Sequence, residues 1–345
     1  MIKSPSKKKS MWRRLVYLVL TIVVLIAGSV FGWDFLADKL ESGLNRQIKK
    51  LAIQGKTLKC DNQRIEGFPF RVGLFCDEIL FEQPAKKILF KAGEVRSAAQ
   101  FYQPGFLVAE IDGPAQLSLP KTGGIDLQWT LAQTSSRVSL AGVKRVSLNL
   151  ENLVATKTED NSQTLPNVHL SSLGLHIRAA GDDTMSADAE VAIDLKNIQI
   201  NNWPERLLPT ADFNADGVIS GLNETLKKGR DIEKWIRENG LKAQVHKLEF
   251  ALADGGVLSA SGPISVNQRG LVTGKLDIKV VGIDNFVSLF ADHVPDLGEN
   301  AEIIKTASRL FSQGTKDQAL PIQLNIRDSI VSAGFIQLGV MPPLF

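Results

Sequence analysis

Residues Leu15 to Trp33 carry no charged side chain and few polar ones. Lys3, Lys7, Lys8, Lys9, Arg13 and Arg14 stand directly before this run, and the first acidic residue is Asp34. At 1.5 Å of rise per residue the run reaches about 28 Å as a helix, close to the roughly 30 Å of hydrocarbon in a bilayer. Trp12 and Trp33 bracket it, as interfacial indoles do. The pattern predicts a basic cytoplasmic segment over 1–14, a transmembrane signal anchor over 15–33 and export of everything beyond. A cleavable signal peptide is the competing reading, because Ala27-Gly28-Ser29 offers small residues to a peptidase. The apolar stretch is longer than a signal core and continues past those residues through Phe31 and Trp33.

The formal charge of +3 belongs to the head. Removing its six basic residues leaves 34 Lys and Arg against 37 Asp and Glu. The exported part therefore has no excess of positive charge for phosphate backbones, and no nucleic-acid partner is expected. The membrane is the expected partner of the head, through its anionic headgroups.

Residues 34–55 read as an amphipathic helix continuing from the span. Leu36, Leu40, Leu44, Ile48 and Leu51 recur at three to four residues, and Gly55 is a natural stop. That stripe faces either the membrane surface or the end of a sheet, and the sheet is the favoured reading. From Lys56 the period changes to two. Ile125 to Leu131, Val146 to Leu153 and Val191 to Ile200 read as alternating strands punctuated by turns such as Asp112-Gly113-Pro114, Thr122-Gly123-Gly124 and Gly181-Asp182-Asp183. Helical insertions are expected near 222–239 and 285–311. Between them, three strands over 245–281 are joined by short glycine-containing turns. The fold class that follows is mainly β with helical insertions. An N-terminal transmembrane helix leads into an elongated, curved antiparallel sheet, a groove or half-barrel, over 56–345. Its apolar face must be covered. A packed core, closure on itself or an apolar trough for acyl chains all satisfy the pattern.

Cys60 and Cys76 are the two cysteines, both in the exported part. A β-hairpin folded about Phe68 sets them directly opposite each other, each eight residues from the turn. Cross-strand Cβ atoms about 4.5–5.5 Å apart need only a small twist to form a disulfide. Free thiols are the alternative, and a metal site lacks nearby histidines. The tip between them, Gly67-Phe68-Pro69-Phe70-Arg71, supports two readings. Phe68, Phe70 and Arg71 form a docking tip for a partner or lipid headgroup, or the rings enter the core while Gly67 and Pro69 shape the turn.

Catalytic machinery is not apparent. His169, His176, His246 and His293 make no metal-ligand pair, and the seven-residue spacing of the first two puts them on opposite faces of a continuous strand. There is no nucleophile elbow, phosphate loop or dinucleotide fingerprint. No catalytic residue, cofactor or metal is expected, and the chain reads as a non-enzyme.

The cysteine-flanked Glu66-Gly67-Phe68-Pro69-Phe70-Arg71 resembles the bacterial DUF2125 family, as does the tail Gly334-Phe-Ile-Gln-Leu-Gly-Val-Met-Pro-Pro-Leu. The resemblance implies membrane-anchored envelope proteins and brings no catalytic residues. A weaker likeness, in topology and in glycine-spaced strands such as Val257 to Gly282, is to AsmA-type envelope proteins, which implies lipid binding or transfer. The expected protein is single-pass in the bacterial inner membrane, with its N-terminus cytoplasmic and its body periplasmic. The expected role is envelope maintenance, with lipid in an apolar β-groove. A scaffold for another envelope component and a hydrolase with a scattered site are the rivals.

Overall fold

The structure is a computed structural model that describes residues 8–100, 102–120, 123–139, 142–158, 167–182, 185–201, 209–290 and 319–345. Helix α1 (Lys8–Ile53) runs unbroken for 46 residues, about 70 Å. Its apolar part is long enough to cross a membrane. Leu36, Leu40, Leu44, Ile48 and Leu51 are half-buried, and this part of the helix lies against the first strands. Gly55 ends it at φ 71°. The Lys56 N–H donates to the Leu51 carbonyl at 2.9 Å and the Gly55 N–H to that of Ala52 at 3.0 Å. These bonds satisfy carbonyls that the helix end would otherwise leave without donors.

Five long strands follow, each broken near its middle. They are β1 (Thr57–Asp61) with β2 (Arg64–Glu66), β3 (Arg71–Cys76) with β4 (Glu78–Gln83), and β5 (Ile88–Ala92) with β6 (Val95–Gln100). Then come β7 (Gln103–Ile111) with β8 (Ala115–Leu119), and β9 (Gly123–Gln128) with β10 (Leu131–Ser139). The halves form two parallel tracks, β1-β4-β5-β8-β9 and β2-β3-β6-β7-β10. Both tracks end on one edge of β11 (Gly142–Lys157), which pairs with β9 and β10 along different parts of its length. The meander continues through β12 (Asn167–Ala179), β13 (Ala189–Asn201) and β14 (Ala211–Ile219). After α2 (Leu222–Lys227) and α3 (Ile232–Asn239) come β15 (Leu241–Leu252), β16 (Val257–Val266) and β17 (Val272–Val281). Helix α4 (Ile283–Phe290), β18 (Leu320–Arg327), β19 (Ile330–Ala333) and β20 (Ile336–Val340) complete the chain. Every pairing is antiparallel, and the sheet is open: no described pairing joins β20 to β1 or β2. The helical stretch expected over 285–311 appears as α4, and its remainder lies outside the described residues, as do His293, Thr122 and Asp183.

The alternation quoted from the sequence contains a shared slip. Two polar residues separate Leu150 from Leu153 in β11, Leu170 from Leu173 in β12 and Leu195 from Ile198 in β13. Yet Leu150 still pairs with Leu173, and Leu153 with Leu170. At the slip Asn152 and Asn197 adopt φ of 50° and 49°, a left-handed conformation Asn tolerates better than most residues. Their side-chain amides donate to Thr130 Oγ1 at 3.0 Å and Ser171 Oγ at 2.9 Å. Asn62, at φ 48°, marks the same kind of interruption between β1 and β2. An interruption of the alternation thus crosses β11, β12 and β13 at mid-strand, and the β13–β14 register shifts there.

Sheet twist accumulates at about 20–25° per strand. The steps from β4 to β14 therefore turn the strand direction by about 140–175°. The α2–α3 pair that follows β14 meets the start of the sheet. Lys86, in the β4–β5 turn, pairs with Glu233 at 2.5 Å, and Lys56 approaches Asp231 at 3.8 Å. At its other side Gln268, in the β16–β17 turn, donates to the Glu238 carbonyl, and Gly142 at the start of β11 lies against Lys227. Contacts to strands this far apart mean that the sheet is rolled, with α2–α3 across one end. The Asp231 side chain caps α3 by accepting from the Lys234 N–H at 3.0 Å.

Candidate functional site

Three regions bear on function: one face of the sheet, a polar cleft on the other face, and the hairpin tip against α1.

The first region follows from register. Ile177, Val191 and Gly217 stand in one cross-strand row, Leu175, Ile193, Ala215 and Leu248 in the next, and Leu173, Leu195, Phe213 and Phe250 in a third. The rows continue through Leu258 to Val280 and Leu320. Most of these side chains are only half-buried. The described core cluster is small, Val266, Val272 and Ile326, and it sits at one end under Met341 and Phe345. Helix α4 meets the face at its opposite margin, where Phe286 lies 6.5 Å from Phe250. Between these points the rows present half-buried apolar side chains. Val191, Ile193, Ile219 and Leu248 line a shallow apolar hollow there of about 150 Å³.

The opposite face is polar and laced with ion pairs. Arg96 grips Asp112 through two bonds of 2.7 and 2.8 Å. Arg178 meets Glu190 at 2.5 Å, and Lys196 meets Asp212 at 3.0 Å. The Gly181 N–H, then Arg178, holds the Glu190 carboxyl below its usual range against the opposing effect of burial. A cleft of about 330 Å³ opens here, lined by Arg145, His176, Arg178, Glu190, Asp216 and His246. His246 Nδ1 lies 3.5 Å from Asp216 Oδ2, and the buried His176 Nδ1 has no hydrogen-bond partner among the described residues. Among the described residues lining this cleft there is no serine, threonine or cysteine, and Ser147, cross-strand from His176, accepts from Arg145 Nε at 3.1 Å. Among the described residues no cluster of His, Cys, Asp and Glu has metal-binding geometry. His169 and His176 both lie on β12, where His169 pairs with Val154 and His176 with Ser147.

The third region is the hairpin. Cys60 and Cys76 form a disulfide with Cα atoms 5.2 Å apart. The bond is the expected one, but the register is not. Arg71 N–H closes on the Gly67 carbonyl at 2.9 Å, making a wider turn than one centred on Phe68. The strands therefore pair Glu66 with Gly73 and Cys60 with Ile79. The cysteines meet diagonally, where the strand pair breaks at Asn62 and Asp77. Asn62 Nδ2 donates to Asp77 Oδ2 at 2.9 Å, and Arg64 Nη1 to Asp77 Oδ1 at 2.8 Å. Gly67, at φ 117°, supplies the dihedral the turn needs. The rings do not enter a core: Phe68 is 50% exposed and Phe70 72%. Instead the turn rests on α1, where Trp33 Nε1 donates to the Arg71 carbonyl at 2.7 Å. The Trp33 and Phe68 rings meet edge-on at 5.8 Å.

A family model matches residues 33–342. The chain belongs to the DUF2125 family, described as uncharacterized protein conserved in bacteria. Comparison with curated proteins and with solved structures gives no match. The hairpin lies within the matched span of this DUF2125 member and the tail lies within it as far as Pro342, and both segments make tertiary contacts. The hairpin is pinned by the disulfide and seated on α1. The tail folds back so that the Leu344 N–H donates to the Gly270 carbonyl at 3.0 Å and Phe345 lies under Arg237, 4.6 Å from ring centre to guanidinium. Sequence reasoning missed this anchoring of the tail. Its signal was the apolar Met341, Leu344 and Phe345 after the last strand.

Proposed function

We propose that this protein is a non-enzymatic, single-pass inner-membrane protein whose periplasmic body holds the acyl chains of envelope lipid against the apolar face of its rolled sheet. The observation that carries the reading is that face: rows of half-buried aliphatic and aromatic side chains running across β12 to β18, tethered to a helix long and apolar enough to cross a membrane. Burying such surface is favourable by about 25 cal/mol per Å², so an apolar ligand gains more there than a polar one. The basic head supports an N-terminus held in the cytoplasm, and the disulfide suits an oxidising compartment.

The scaffold reading has its own observation. Among the described residues β20 pairs only with β19, and Ile336, Leu338 and Val340 are each more than half exposed. An apolar edge strand is a template for strand addition by another protein.

Photocrosslinking in membranes distinguishes the two. A photoreactive residue at Ile193 in the full-length protein yields lipid adducts, while one at the neighbouring Asp194 does not. Equal lipid labelling at both positions, or protein adducts alone at Ile193, overturns the lipid reading.

A further inference from the structure

We infer that the disulfide-pinned hairpin tip is a membrane-interface anchor: Phe68, Phe70 and Tyr102 sit in the headgroup layer of the bilayer that α1 crosses, with Arg71 facing its phosphates. The argument is one of depth. Trp33 closes the apolar run of α1 and precedes the first acidic residue, which places it at the boundary where the helix leaves hydrocarbon. From Trp33 the helix climbs to Ile53, about 30 Å at 1.5 Å per residue. The chain then reverses through Gly55, and β1 and β2 descend at about 3.3 Å per residue. Some 12 residues of strand and connection recover that height, and Phe68 arrives back at Trp33, ring to ring. The hydrogen bond from Trp33 Nε1 to the Arg71 carbonyl fixes the tip at that level.

Tyr102 reaches the same level by register. Arg71 pairs with Gln100, and Gln100 with Gln103, so the β6–β7 turn lies beside the tip. Phe70 and Tyr102 are each 72% exposed, and Arg71 is exposed as well. Aromatic rings with an arginine among them are the residue types that favour the headgroup layer. The disulfide holds the base of the hairpin, so this surface is presented without needing to be ordered by the membrane. The proposal rests on α1 spanning the bilayer and is independent of what the sheet's apolar face holds. Its consequence is mechanical: a second point of attachment beside α1 fixes the orientation of the sheet over the membrane.

The test uses the full chain in vesicles of phosphatidylethanolamine and phosphatidylglycerol. Nitroxide labels are placed singly at Phe70→Cys, Tyr102→Cys, Val24→Cys and Ala85→Cys, the native cysteines being bonded to each other. Ala85 is an exposed position in the β4–β5 turn, at the far end of the same strands. Collision rates with oxygen and with a water-soluble nickel chelate report depth. The expected result ranks the oxygen-to-nickel ratio as Val24→Cys highest, Phe70→Cys and Tyr102→Cys between, and Ala85→Cys lowest. A Phe70→Cys ratio equal to that of Ala85→Cys, with Val24→Cys embedded, overturns the tip anchor alone. An aqueous Val24→Cys overturns the membrane span and the tip with it. A protein partner as the true occupant would also give the aqueous Phe70→Cys result, because these vesicles contain none.

Discussion

Reducing the Cys60–Cys76 bond tests how the two tracks of the N-terminal strands are held together. The bond closes a loop with a sequence separation of 16. On the chain-entropy model, loss of a cross-link over such a loop costs about 3 kcal/mol, because the unfolded chain regains the freedom it had lacked. The unfolding entropy is about 2.1 cal/mol/K per residue, or about 0.6 kcal/mol/K for the roughly 290 residues after α1. The ratio predicts a fall in Tm of about 5 °C if the body melts as one unit. A fall several times larger means that the strands around the bond melt separately, since a smaller unit has a smaller unfolding entropy. The assay is far-ultraviolet circular dichroism of the full chain in detergent, with and without reductant, and with mass spectrometry confirming that both thiols have formed. Cys60→Ser is the control, chosen because Cys60 is half-buried, whereas Cys76 is 1% exposed and a serine there would bury a hydroxyl. The variant should melt near the reduced wild type and ignore reductant. Complete reduction with an unchanged wild-type Tm would refute the reasoning.

Two further outcomes are expected. Gly262 sits at φ 141°, and a Cβ there would lie 2.1 Å from the Lys275 carbonyl oxygen; Gly262→Ala should cost at least about 2 kcal/mol in a denaturant titration, whereas Gly339→Ala, with nothing within 4 Å of the new carbon, should cost almost nothing, and equal costs would argue against the close β16–β17 approach. The Gly181 and Arg178 bonds lower the Glu190 pKa, so their stabilisation is present above the ordinary value of 4.5 and is lost as pH falls through the lowered one; Glu190→Gln should therefore be less stable than wild type at pH 7 and match it in strong acid, and a deficit that does not change with pH would contradict the assignment.

Much of the local structure was legible. The change of period at Gly55 separates helix from sheet, because one face of each must bury apolar side chains and the two geometries repeat differently. The mid-strand interruption was written in the sequence too, as paired polar residues at Glu151-Asn152, Ser171-Ser172 and Lys196-Asn197. Its signal is a break in alternation rather than a motif. The disulfide was legible from two cysteines near a turn, although the argument from register placed it wrongly. Register depends on how many residues the turn consumes, and the bond from Arg71 N–H to the Gly67 carbonyl widened it. The exposed tip was not decided by composition, since two phenylalanines suit a core as well as an interface. The seat on Trp33 is a contact across 35 positions of sequence, and no local pattern encodes it.

By itself the sequence determined the apolar run of membrane-spanning length, the period of each segment and where strands turn, since these follow from the neighbours of each residue along the chain. Only the tertiary structure decided that the sheet stays open, that α3 meets Lys56 and Lys86, and that the hairpin tip returns to Trp33 of α1. The physical reason is that twist, bulges and turn widths add from strand to strand. Small changes of direction that no single segment reveals accumulate across the strands, and contacts such as Lys86 with Glu233 exist only in the assembled sheet.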